Sequence, residues 1–111
     1  MGIRAVAKEA EDSAVRLARK GRGLFGLRER QAQRSIGEFV SYAQSVPPGG
    51  VLSDEVRETL HDEIERIIDA LEIHVARTGN RSPQRAIRDS GVVQLIYALR
   101  EVEPRLLQTR R

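Results

Sequence analysis

The chain has 111 residues, with 19 Lys and Arg against 16 Asp and Glu, and neither cysteine nor tryptophan. That length supplies one modest core and not two, and the missing cysteine excludes a disulfide framework, a thiolate metal site and a thiol nucleophile. No apolar run approaches the ~20 residues of a bilayer-spanning helix.

Nor does the N-terminus carry an apolar leader core. The expectation is therefore one domain over residues 1–111, cytoplasmic, with no integral membrane insertion. Ala, Leu, Ile, Val, Glu and Arg dominate and proline is sparse, which points to an all-α fold. The net charge of +3 hides a strong segregation. Seven basic residues between 16 and 34 face Glu29 alone; eight carboxylates between 53 and 72 face only Arg57 and Arg66; eight arginines after residue 76 face three carboxylates. Nearly all the bases are arginine, which suits phosphate and carboxylate recognition, although a GC-rich genome produces the same bias.

Apolar positions three and four apart share a helix face. The first helix spans about 2–20 with Ile3, Ala7, Ala10, Ala14 and Leu17 as its stripe. That stripe is mostly alanine, so it permits close approach but buries little area, and the helix is expected to fray or to dock only in an oligomer. Gly21, Gly23 and Gly26 then make 21–27 a flexible connector. Leu24 and Phe25 within it either plug one end of the core or form an exposed anchor among arginines.

The second helix spans about 28–45, with Ala32, Ile36, Phe39, Val40 and Ala43 inward. Pro47-Pro48-Gly49-Gly50 ends it. The third, 53–78, is the most regular: Ser53 caps it, and Val56, Leu60, Ile64, Ile67, Ile68, Leu71 and Val75 share one side. Glu58, Asp62, Glu65, Asp69 and Glu72 form a line of carboxylates on the other. Like charges at these spacings repel, so the line is relieved by adjacent bases or kept for a partner. The fourth helix runs from Pro83, with Ser82 as cap, to about Glu103. Val92, Ile96, Tyr97, Leu99 and Val102 leave it apolar around much of its girth, as in a central or interface helix. Ser90-Gly91 is read as a candidate break or kink, Pro104 as the end of the helix or the start of a final turn, and 104–111 as a short basic tail.

Catalysis has little to stand on, and no catalytic residue, cofactor or metal ligand is assigned. Gly21-x-Gly23-x-x-Gly26 lacks the preceding strand that a dinucleotide site needs. His61 and His74 are thirteen apart and fall on nearly opposite sides of one helix, His61 read as a core-boundary residue and His74 as a surface one. Glu58-x-x-His61 matches a di-iron spacing, but too few carboxylates elsewhere are available to complete such a site.

The leading expectation is a non-enzymatic interaction or assembly module, a homo-oligomer or a binder of another protein. Its charge contacts would be Arg16, Arg19, Lys20, Arg22, Arg28, Arg30 and Arg34 against Glu58, Asp62, Glu65, Asp69 and Glu72. Its apolar interface would be Leu24, Phe25, Val92, Val93, Ile96 and Tyr97. The alternative is a nucleic-acid-associated protein that neutralises phosphates through 16–34, and a third reading is peripheral membrane attachment through Leu24 and Phe25.

Overall fold

The computed structural model describes residues 2–20, 27–46, 52–78 and 83–107; the side chains at 20, 78, 83–90 and 107 lie outside the description. Four helices make up the fold: α1 (Ile3–Lys20), α2 (Leu27–Ser45), α3 (Asp54–Thr78) and α4 (Pro83–Leu107). Each forms where the apolar spacing demands it. The stripes of α1, α2 and α3 converge, and Leu17, Ile36, Phe39, Leu60, Ile64, Ile67, Leu71, Val92 and Leu99 are all fully buried. Each such side chain contributes roughly 1.5–3 kcal/mol of transfer free energy. Among the described residues no helix is long and apolar enough to cross a membrane.

The helices form a square whose order around the ring differs from their order in sequence. The α1 backbone approaches α2 and α3; that of α4 approaches α3 and α2; the diagonals α1/α4 and α2/α3 are held apart by the core. Side-chain contacts give the directions. Ser13 donates to Ser35 at 3.1 Å across the antiparallel α1/α2 pair. Arg66 meets Glu11 and Arg77 donates to the Ala18 carbonyl, so α1 and α3 run parallel. Gln33 lies against Gly91 and Arg105 donates to the Val46 carbonyl, so α2 and α4 also run parallel. The two hairpins α1/α2 and α3/α4 are therefore laid side by side, with α2 and α3, consecutive in sequence, on a diagonal. The result is a rod 48 × 21 × 19 Å in extent.

The α3 cap is as the sequence implies: the Val56 amide donates to Ser53 Oγ at 3.2 Å and the Arg57 amide to the Ser53 carbonyl at 2.9 Å. Leu52, just before the cap, and Val56 in the first turn are both partly buried against the core. Three expectations are corrected. The first helix does not wait for an oligomer: Ala7, Ala10 and Ala14 are fully buried between α2 and α3, because small side chains let both neighbours come close. The fourth helix does not stop at Glu103; it passes through Pro104 to Leu107, since burial of Leu106 offsets the one backbone bond that proline forfeits. Ser90-Gly91 does not break it either, for the helix is continuous from Pro83. The connector 21–26, with Leu24 and Phe25, the Ser82 cap and the last four residues lie outside the described residues.

Candidate functional site

The square arrangement puts two grooves on opposite sides of the rod. Between α1 and α2 lies a polar groove of about 300 Å³, lined by Glu9, Ser13, Arg16, Gln31, Arg34, Ser35 and Glu38. Its charges are mixed, and Arg34 lies 3.6 Å from Glu38 on the next turn of its own helix. Between α3 and α4 lies an apolar groove of about 570 Å³, walled by Val75, Ala76, Val93, Ile96 and Tyr97. Glu72 and Arg100 close one rim, joined across the helix pair at 3.0 Å. Tyr97 stands 68% exposed over this groove. Ile73, also exposed, belongs to another face of α3 and does not line it.

The charged residues singled out from the sequence fall as follows. Arg16 and Arg19 are exposed on α1; Arg30 and Arg34 are exposed and Arg28 half-buried on α2; the Lys20 side chain and Arg22 lie outside the described residues. Glu58, Asp62, Glu65, Asp69 and Glu72 are all exposed on α3. The basic segment and the acidic line do not meet within one chain among the described residues, because α2 is diagonal to α3 and the acidic line points away from α1. Among the described residues only Glu72 of this line gains an ion pair, and its partner Arg100 comes from α4.

The apolar residues divide. Tyr97 and the half-buried Val93 line the outer groove. Val92 is fully buried in the core of its own chain, so the interface reading for it is corrected: it sits 100° around the helix from Val93, on the inward face. Ile96 is mostly core, with one edge in the groove.

Both histidine readings are corrected as well. His74 is 1% exposed, three residues after Leu71 and seven after Ile67, and so on the same inward stripe. Its Nε2 lies 3.9 Å from Oε1 of Glu29, which is also buried; the pair reaches across the α2/α3 diagonal. His61 is instead exposed, and its Nδ1 lies 3.2 Å from Oε2 of Glu103. Glu65, one turn on from His61, brings a carboxylate oxygen within 4.8 Å of the donor atoms of both His61 and Glu103. Burial, then the Glu65 carboxyl, push the Glu103 carboxyl above the ordinary carboxylate range; His61 pulls the other way. Glu58, the partner that the sequence spacing offered to His61, is not in this cluster.

A second polar cluster joins α1 to α3. Glu11 and Glu63 are both buried, and Arg66 Nε lies 2.9 Å from Glu11 Oε1. The Glu63 carboxyl is raised by burial first and by the Glu11 charge second, with Arg66, Lys8 and Arg4 opposing. These inward carboxylates carry no distinctive spacing; their signal was only that Glu63 directly precedes Ile64 and lies three residues after Leu60 on the inward side.

The chain matches no family model, no curated protein and no solved structure, so the surfaces themselves carry the functional reading.

Proposed function

We propose that the protein is a helical interaction module that self-associates through the α3/α4 groove, with the segregated charges steering the contact. The exposure of Tyr97 above Val93 and the edge of Ile96 carries this reading. An exposed aromatic ring bordering an apolar groove is the kind of anchor that stable interfaces bury. Area supports it too. Helices of 25 residues are about 37 Å long, so the α3/α4 face can offer the ~800 Å² per partner of a standard interface. The carboxylates Glu58, Asp62 and Asp69 have no ion pair among the described residues, and neither do Arg19 and Arg30. Opposite charge on opposite sides of the rod favours association with a second copy and raises its rate. The mixed polar groove between α1 and α2, with Glu9 and Glu38 among its arginines, weighs against phosphate binding there.

Size-exclusion chromatography with light scattering, at low and high salt and up to about 1 mM protein, tests the proposal. The expected result is a concentration-dependent oligomer that Tyr97→Asp returns to monomer with its helicity intact. A wild-type monomer throughout would sink the self-associating form.

A further inference from the structure

We infer that His61, Glu65 and Glu103 form a binding site for a first-row divalent cation of the zinc class, between the N-terminal half of α3 and the C-terminal half of α4. The three groups come from two helices. His61 and Glu65 are one turn apart, the spacing that sets two ligands on one helix face, and Glu103 arrives from the neighbouring antiparallel helix. Its side chain is only 15% exposed, so packing fixes the carboxyl while His61 and Glu65 remain adjustable at the surface. Ligands around a tetrahedral zinc ion sit at about 2.0–2.2 Å from the metal and hence roughly 3–3.5 Å from one another. The His61–Glu103 separation of 3.2 Å already meets that spacing, and the remaining donors lie within 4.8 Å, a distance that rotation of an exposed glutamate closes.

The chemistry selects the ion. Two carboxyl groups whose oxygens lie within 4.8 Å of each other favour a cation between them, and an imidazole nitrogen beside them favours zinc, cobalt or nickel over calcium or magnesium. Three protein ligands leave room for water as the fourth, and the site opens directly to solvent.

The test is titration of the 111-residue chain with Zn²⁺ and, for its visible ligand-field bands, Co²⁺, followed by calorimetry and thermal melting. One Zn²⁺ per chain and a raised Tm are expected, with tetrahedral Co²⁺ bands. Affinity should drop at least about tenfold in both His61→Ala and Glu103→Gln, and should hold in Asp69→Asn, which removes a stripe carboxylate outside the cluster. Circular dichroism establishes that each variant is folded. Absence of binding at millimolar Zn²⁺, equal stabilisation by Ca²⁺, or a loss in Asp69→Asn as large as in His61→Ala would each overturn the site in favour of diffuse attraction to the acidic line.

Discussion

Nε of Arg66 on α3 lies 2.9 Å from Oε1 of Glu11 on α1, pinning two parallel helices at a point where Glu11 is nearly dry and Arg66 is half in solvent. The pair is asymmetric. Removing the arginine leaves a buried carboxylate without its nearest compensating charge, whereas neutralising the glutamate leaves an arginine that water solvates. Arg66→Ala should therefore cost on the order of 1 kcal/mol, limited by solvent screening of the exposed partner. Glu11→Gln should cost less, and the double variant less than the sum. A double-mutant cycle by urea unfolding at neutral pH measures this; strict additivity would show the contact to be energetically idle.

Glu63 faces the same interface and makes a pH-dependent prediction. Its carboxyl is raised above 4.5, by burial and then by Glu11. Below that value the group is neutral in folded and unfolded chains alike and contributes no penalty. As pH climbs past the unfolded value, the unfolded chain releases its proton first, and stability falls until the folded carboxyl ionises too; the penalty is constant thereafter. Glu63→Gln should thus stabilise the protein at pH 7 and have almost no effect near pH 4. Thermal melts at the two pH values separate this from a packing effect, which would be equal at both.

Two helical glycines should respond differently to alanine. A Cβ at Gly37 meets nothing within 4 Å, while one at Gly91 would lie 3.0 Å from Gln33 Nε2. Gly37→Ala should raise stability by about 0.8–1 kcal/mol, the full helix propensity difference. Gly91→Ala should gain less, because the Gln33 amide must shift aside. Denaturant midpoints compare them directly, and a larger gain at Gly91 would contradict the α2/α4 contact.

The alanine face of α1 should reject larger side chains. Ala10 is fully buried between α2 and α3, so Ala10→Leu should cost about 1–3 kcal/mol by overpacking, although leucine is more apolar and nearly as good a helix former. Calorimetry showing a stabilised variant would mean that α1 docks more loosely than its burial implies.

How much was legible in the residues depends on the range of the physics involved. The four helices, the Ser53 cap and nearly all core positions follow from local rules, since a stripe at 3.6-residue spacing has one way to bury itself. His74 belongs to that same stripe, three residues beyond Leu71, but its polarity points to the surface; its burial opposite Glu29 depends on a partner 45 positions away. Pro104 likewise obeyed tertiary packing of Leu106 over its own preference.

Sequence alone therefore determined the helical class, the boundaries of α1 to α3 and the existence of a separate acidic line, because these rest on spacing along one chain segment. Only the tertiary structure decided the ring order of the helices, and that order governs the rest. With α2 diagonal to α3, the described arginines of the basic segment make no ion pair with the acidic line. With α4 beside α3, Glu103 arrives at His61 and Glu65, and Tyr97 is left over an apolar groove. No local periodicity encodes these placements, for they arise from how four stripes share one core.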